Sequence, residues 1–179
     1  MSEPPRRGPH TAFEGAIVKV VLEDAQMPDG QVIPFEVVHH PGGAGVVALD
    51  DQERVCLVRQ YRPVADAWLW EVPAGKLEHG DPDRTARLEL AEETGLRARH
   101  WQSLGAVHSS PGIFTEVIHL YLARDLEQGE RHPEPGEVME VHWLALEDAV
   151  ERALHGEISD AKTVIALLRA HAWRQTEDI

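Results

Sequence analysis

Hydrophobic positions between residues 15 and 72 form short stretches that are separated by turn-forming residues. Alternation with a period of two is typical of β-strands that bury one face and predicts a strand over residues 15–22, with a second over 32–39 after the turn; further short apolar stretches predict strands over 46–49, 55–60 and 68–72. Pro28, Asp29 and Gly30 predict a turn between the first two, so we expect an N-terminal β-hairpin. Residues 1–12 are rich in Pro, Arg and Gly and are predicted to be disordered.

The second half of the chain mixes strands with helices. Apolar runs predict strands over residues 101–108, 117–123 and 138–144, and helical patterns predict helices over 147–155 and 160–173. The acidic, Pro-rich residues 127–136 are expected to form a loop. The sequence has no internal repeat and no linker long enough to divide it, so its 179 residues predict one mixed α/β domain.

A further helix is predicted between Asp81 and Gly95. Asp81 can cap the free N–H groups of the first turn, and proline is tolerated at the first helical position, where Pro82 stands. Gly95 is suited to ending the helix. Three residues are expected to form its apolar side: Leu88, Ala91 and Leu96.

Glu89, Glu92 and Glu93 occupy positions i, i+3 and i+4 of this helix and therefore share one face. Like charges at this spacing repel one another, and the negative end of the helix dipole lies in the same half of the helix. A hard divalent cation such as Mg²⁺, which prefers oxygen ligands, would remove the conflict. A solvated acidic face shows the same pattern, so the residues before the helix decide between the two readings.

Charge and composition narrow the classes of partner. The formal charge of −14 disfavours nucleic acid, and a small anionic substrate would need local arginines and a metal. The sequence has neither the apolar run of a membrane span nor the apolar core of a signal peptide, so we expect a cytoplasmic protein without membrane contact. The single Cys56 forbids an internal disulfide and is expected to be a buried apolar residue rather than a nucleophile.

The stretch GKLEHGDPDRTARLELAEETGL, residues 75–96, resembles the Nudix box. The matching positions are Gly75, Glu89, Leu90, Glu92, Glu93, Gly95 and Leu96. Three features depart from the usual form: Asp81 replaces a glutamate, the following spacer is one residue short, and Leu88 replaces the arginine before Glu89. The acidic ligand positions are all present, so we identify the chain as a member of the Nudix family.

The resemblance extends to the strings LVRQYRP and WEVPAGK, which are similar to the lead-in of Nudix ADP-ribose pyrophosphatases. It implies that Arg59, Arg62 and Glu71 contact the substrate and that the Ala74 carbonyl binds metal. Pro111 lies sixteen residues beyond Gly95, where a proline in this family goes with ADP-ribose as the substrate.

The resemblance also implies the fold, the assembly and the reaction. We expect a Nudix α/β/α sandwich with a mixed sheet and an N-terminal hairpin extension. The expected boundaries are a disordered segment at 1–12, N-terminal strands at 13–45 and the Nudix domain at 46–179. The implied assembly is a homodimer that exchanges its N-terminal strands. The implied reaction is metal-dependent hydrolysis of ADP-ribose to AMP and ribose 5-phosphate, with Mg²⁺ or Mn²⁺ as the cofactor.

Within this reading, Glu89, Glu93 and the Ala74 carbonyl are the expected metal ligands, and Glu92 assists them. Glu137 is the first choice for the remaining acidic role, either a further ligand or the base that orients water, and Glu134 is the second.

Two other functions remain open at this point. The first is a hydrolase of broader range among nucleoside diphosphate sugars. The second is a Nudix-fold nucleotide sensor that lost its activity together with the arginine of the box. Relative turnover across nucleotide substrates would distinguish these functions, and binding without hydrolysis would identify the sensor.

Overall fold

The structure is a computed structural model that describes residues 8–78, 80–132, 136 and 138–177. The described residues form two compact units, one from residues 8–42 and 108–117 and the other from residues 43–107 and 118–177. Within the described part of the chain, no helix is long and apolar enough to span a membrane.

The smaller unit contains a three-stranded antiparallel sheet in the order β1-β2-β3. Its strands are β1 (His10–Glu14), β2 (Lys19–Gln26) and β3 (Val32–His39). Gly30 has a φ of 86° and its N–H donates to the carbonyl of Met27 at 2.9 Å, which closes the turn between β2 and β3. The predicted hairpin and its turn are therefore confirmed.

Two N-terminal predictions are wrong in part. Residues 10–12 lie in β1, although 1–12 was predicted to be disordered. Residues 15–18 form a tight turn closed by the Gly15 N–H and the Val18 carbonyl at 2.9 Å, although a strand was predicted from residue 15. The physical reason is that β1 buries no face, so its sequence carries no alternation that would reveal it.

The larger unit is built on a seven-stranded sheet in which β10-β5-β4-β9-β8 are neighbours, β6 pairs with β5 and β7 pairs with β4. Its strands are β4 (Gly43–Leu49), β5 (Arg54–Arg62), β6 (Ala67–Glu71), β7 (Ala74–Lys76), β8 (Leu96–His108), β9 (Val117–Gln128) and β10 (Met139–Ala145). Strand β4 runs parallel to β9 and antiparallel to β5 and β7, so the sheet is mixed as predicted.

Helices cover both faces of this sheet. They are α1 (Pro82–Thr94), α2 (Leu146–Leu154) and α3 (Ala161–Glu177). Adjacent residues of a strand point to opposite faces. Accordingly, Val46 packs in one core with Leu90 of α1, and Val47 packs in a second core with Leu167 of α3. The predicted α/β/α sandwich is confirmed.

Helix α1 begins and ends as its sequence predicts. The Asp81 carboxylate accepts from the Arg84 N–H at 3.2 Å, Pro82 opens the helix, and Gly95 ends it with a φ of 76°.

The predicted apolar side of α1 is wrong in part: Leu96 is buried in the same core as Leu90, but Leu88 is 45 % exposed. The helix instead buries Ala86, Leu90 and Glu93, at positions i, i+4 and i+7. The buried face includes the Glu93 carboxylate, so a search for the most apolar residues did not identify this face.

Candidate active site

Two glutamate side chains of α1 converge on the strand β7 at Ala74 and Gly75. Glu93 is 2 % exposed, and its Oε2 accepts from the Ala74 N–H at 3.2 Å. A Cβ placed on Gly75 would lie only 1.7 Å from Glu89 Oε1 and 2.1 Å from its carboxyl carbon. The glycine therefore gives the Glu89 carboxylate room against the backbone. Residues that are fourteen and more positions apart in sequence thus form one oxygen-rich site.

The donor set of this site fits a hard divalent cation. Two carboxylates and the neighbouring backbone carbonyl of Ala74 are oxygen ligands of the kind that Mg²⁺ prefers. Among the described residues, no three His, Cys, Asp or Glu side chains form a group that could hold a metal. The candidate ligands here are accordingly two carboxylates and one main-chain oxygen.

One arginine and one backbone N–H bind carbonyl groups at the negative end of α1. Arg131 Nε donates to the Glu93 carbonyl at 2.7 Å, and the His132 N–H donates to the Glu92 carbonyl at 3.0 Å. These bonds satisfy carbonyls that the last turn leaves without a helical partner, and a cation is favourable there. The Glu92 side chain itself is half-buried.

Arg62, at the end of β5, is clamped by a buried carboxylate. Its Nε and Nη2 donate to the two oxygens of Glu71, both at 2.7 Å. Glu71 is 2 % exposed and also accepts from Lys162 Nζ at 2.5 Å. This bidentate pair fixes the plane of a guanidinium that remains 40 % exposed, and the positive charge of Arg62 interacts with Glu93.

Burial alone would raise the pKa of Glu71. Hydrogen bonds from Arg62 and the positive charge of Lys162 outweigh that effect and hold the pKa of this carboxyl below its ordinary value. Glu71 is therefore ionised at neutral pH and can hold both cations.

The structure separates Arg59 from Arg62. The two are three positions apart on β5, so their side chains point to opposite faces of the sheet. The Arg59 guanidinium lies over the Trp68 ring, 5.4 Å from its centroid, and 3.9 Å from Glu140. Arg59 is therefore held on the face opposite to Glu71 and Arg62.

Three further predicted site residues are Glu134, Glu137 and Pro111. Glu134 and Glu137 lie outside the described residues. Pro111 lies in the smaller unit, within a turn in which the Ile113 and Phe114 N–H groups donate to the Ser110 carbonyl at 3.1 and 2.9 Å.

Lys162, which supports the Arg62 clamp, was not predicted from the sequence as a site residue. Lys162 joins Glu71 to Asp160, whose Oδ2 also accepts from the N–H and hydroxyl of Thr163. One signal was available: Lys162 stands in the first turn of a helix, where the dipole disfavours a cation. A nearby carboxylate is therefore expected, because it would compensate the lysine charge.

Cys56 is buried in the core beside α1, as predicted. Burial first, and then the negative charge of Glu93, raise the pKa of Cys56 to about 12. A thiol with so high a pKa is not a nucleophile at neutral pH.

The fold and the site define a class of protein: an α/β/α sandwich in which carboxylates of one helix meet a strand backbone beside a clamped arginine. The NUDIX domain profile matches residues 39–168. The chain belongs to the Nudix family, which confirms the resemblance drawn from the box.

Relatives and a solved structure agree with this assignment. The chain is 37 % identical over 158 residues to the ADP-ribose pyrophosphatase of Bacillus subtilis (strain 168), covering 87 % of this chain and 85 % of the relative. It is 38 % identical over 158 residues to the methanol dehydrogenase activator of Bacillus methanolicus, with the same coverage. A crystal structure of an ADP compounds hydrolase superposes with a TM-score of 0.82 at 18 % identity, covering 99 % of this chain and 97 % of that one, which shows the shared fold.

Proposed function

We propose that this protein hydrolyses the diphosphate bond of ADP-ribose, giving AMP and ribose 5-phosphate, with a divalent metal ion as cofactor. The observation that carries the proposal is the convergence of the Glu89 and Glu93 carboxylates on Ala74 and Gly75. Cleavage of a diphosphate requires compensation of negative charge at the phosphoryl oxygens, and this site combines metal ligands with a fixed guanidinium.

Glu89, Glu93 and the Ala74 carbonyl would hold the metal ion, and Glu92 would assist them from the same helix face. A bound divalent ion supplies charge to a phosphoryl oxygen and lowers the pKa of a bound water. Mg²⁺ is the proposed ion and Mn²⁺ the alternative, because both suit carboxylate and carbonyl ligands.

Arg62 is proposed to bind the diphosphate. Glu71 occupies its Nε and Nη2 edge, so the Nη1 group is left to address a phosphate oxygen. Glu71 therefore acts on the substrate indirectly, by holding Arg62. Arg59 lies on the opposite face and would contact the substrate only if the substrate extends around the edge of the sheet.

The base that activates water is proposed to be Glu137, with Glu134 as the second candidate. A carboxylate within hydrogen-bond reach of the attacking water is the requirement for either residue. Replacing each with Gln in turn separates the two: the base variant loses most of its turnover rate, and the other variant keeps it.

The choice of ADP-ribose rests on the name of the Bacillus subtilis relative and on the position of Pro111. The homodimer and a cytoplasmic location are further proposals, supported by the family resemblance and by the sequence respectively. A broader activity on nucleoside diphosphate sugars is the second candidate, since the metal site and Arg62 address only the diphosphate that all such compounds share.

The proposal is tested by incubating the purified protein with ADP-ribose, with and without Mg²⁺, and separating the products by chromatography. Metal-dependent appearance of AMP and ribose 5-phosphate is expected. Cleavage of ADP-glucose or GDP-mannose in preference to ADP-ribose would favour the broader hydrolase. Binding of ADP-ribose without cleavage of any of these compounds would favour a nucleotide sensor.

A further inference from the structure

Lys162 lies in a buried ion network at the start of α3. Its side chain is 13 % exposed, and Nζ donates to Glu71 Oε2 at 2.5 Å and to Asp160 Oδ2 at 3.0 Å. A lysine ammonium carries three donors, so two of them are used within the protein. A long, flexible side chain is thereby held in one position between two carboxylates.

The anchor of this network is itself rigid. Asp160 Oδ2 accepts from the Thr163 N–H at 3.0 Å and from its hydroxyl at 2.6 Å, which caps α3. Thr163 is fully buried, and its hydroxyl oxygen accepts from the Val72 N–H at 2.9 Å. Val72 stands two residues before Ala74, so the start of α3 is tied to the chain segment that leads into the proposed metal site.

The network ends at Arg62. Glu71 Oε1 accepts from Arg62 Nε, and Glu71 Oε2 is shared between Arg62 Nη2 and Lys162 Nζ. Arg62 Nη1 has no hydrogen-bond partner in the part of the chain that the structure describes. Among the described residues, the guanidinium therefore has one edge without a partner, and Glu71 sets the direction of that edge.

Charge explains why Glu71 needs two cations. Glu71, Asp160, Arg62 and Lys162 together are neutral, so Arg62 keeps attraction for an anion although it already binds a carboxylate. Without Lys162 the three remaining groups would carry one negative charge: Arg62 and Glu71 would form a neutral pair, with the Asp160 carboxylate close to Glu71 and uncompensated. Glu71 would then be free to shift, and the Nη1 edge would turn with it.

We propose that Lys162 is a positioning residue: acting through Glu71, it holds Arg62 with its Nη1 edge toward the diphosphate of the substrate. The inference rests on the proposed function, because it assigns the diphosphate as the anion that Arg62 binds. Lys162 itself does not touch the substrate.

The test measures binding and turnover separately in variants of the full-length protein. Calorimetry gives the Kd of ADP, which carries the diphosphate and requires no hydrolysis, and steady-state assays give KM and kcat for ADP-ribose. In Lys162→Met, the Kd of ADP and the KM of ADP-ribose are expected to rise about tenfold, the scale of one charge-assisted hydrogen bond. The value of kcat is expected to change less than about threefold, because the metal ligands are untouched.

Two further variants separate positioning from stability. Lys162→Arg keeps a cation between Glu71 and Asp160 and should restore the Kd of ADP to within about threefold of the wild type. The matched control is Arg174→Met, which removes the ion pair between the far end of α3 and Glu53. It should lower the melting temperature without changing the Kd of ADP.

The double variant Lys162→Met with Glu71→Gln removes the negative charge of Glu71, which lies close to the uncompensated Asp160 carboxylate once Lys162 is replaced. Melting temperature is expected to recover relative to Lys162→Met, whereas the Kd of ADP stays raised, because Arg62 has lost its bidentate partner. Recovery of both, or an unchanged Kd of ADP in Lys162→Met, would overturn the inference. If the wild type binds ADP but does not cleave ADP-ribose, the proposed function fails, while the Kd comparison still decides the role of Lys162.

Discussion

Replacing Gly75 with alanine tests the position of the Glu89 carboxylate directly. A Cβ at residue 75 would stand 1.7 Å from Glu89 Oε1, whereas ordinary contact begins at 3.4 Å. The oxygen must therefore retreat by about 1.7 Å. The clashing atoms lie at the end of a flexible side chain, so the carboxylate moves and the sheet does not. Gly75→Ala is expected to leave the fold intact.

The expected effect falls on metal affinity. Mg²⁺ demands near-ideal octahedral geometry with oxygens about 2.0–2.1 Å away, so a carboxylate displaced by more than an ångström no longer serves as a ligand. We expect the Mg²⁺ concentration for half-maximal hydrolysis of ADP-ribose to rise about 10- to 100-fold. Turnover is measured across a Mg²⁺ titration, and a melting curve records stability for the same protein.

Gly45→Ala is the matched control for this experiment. Gly45 pairs with Ala74 on the neighbouring strand, and its Cβ would meet the nearest side-chain atom, Val72 Cγ2, at 3.4 Å, an ordinary contact. This variant should keep the Mg²⁺ dependence of the wild type. If Gly75→Ala also keeps the Mg²⁺ dependence of the wild type, the Glu89 carboxylate is not a metal ligand in its position against Gly75.

Three further predictions concern the same unit. Glu93→Gln should lower turnover at saturating Mg²⁺ at least about a hundredfold while the melting temperature changes little, since Gln can still accept from the Ala74 N–H; full activity would refute the assignment of Glu93. Because the pKa of Glu71 is lowered in the folded protein, its ion pair with Arg62 contributes fully to stability above the ordinary pKa of 4.5. This contribution is lost as the pH falls through the lower folded value. The difference in melting temperature between wild type and Glu71→Gln should therefore be constant from neutral pH to about 5 and shrink at lower pH. Parallel acid profiles would contradict this. The Cys56 thiol should resist iodoacetamide at pH 8 in the folded protein and react after denaturation, whereas rapid native labelling would show that it is accessible and ionised.

The fold was predictable to the extent that burial leaves a pattern in the sequence. Val46 and Val47 belong to a strand buried on both faces, and the apolar run around them reveals it. The caps of α1 were predictable for a local reason, because Asp81, Pro82 and Gly95 act on their own turns. Strand β1 was not predictable, since it pairs through its backbone and buries no side chain.

The candidate site was predictable where one helix carries it. Glu89 and Glu93 share a face because of helical spacing alone, and the family resemblance named Ala74 from the lead-in WEVPAGK and Gly75 from the box. The burial of Glu93 was missed, because an acidic residue on an inward face does not stand out from acidic residues on the surface.

Contacts between distant segments left no local pattern. Arg62, Glu71 and Lys162 are brought together by the pairing of β5 with β6 and by the start of α3. Arg59 and Arg62 lie on opposite faces because side chains alternate along a strand. Interpreting the two arginines as one motif did not take this alternation into account. The sequence indicated which residues carry the chemistry, and the fold decided which of them act together.

The central claim is that a divalent ion lies between Ala74, Glu89 and Glu93 with the substrate diphosphate beside Arg62. Its most direct test is a crystal of the protein grown with Mn²⁺ and a non-hydrolysable ADP-ribose analogue, examined by anomalous diffraction. We expect a manganese peak coordinated by the Ala74 carbonyl and the two carboxylates, with a phosphate oxygen accepting from Arg62 Nη1. A manganese peak elsewhere, or a diphosphate bound away from Arg62, would contradict it.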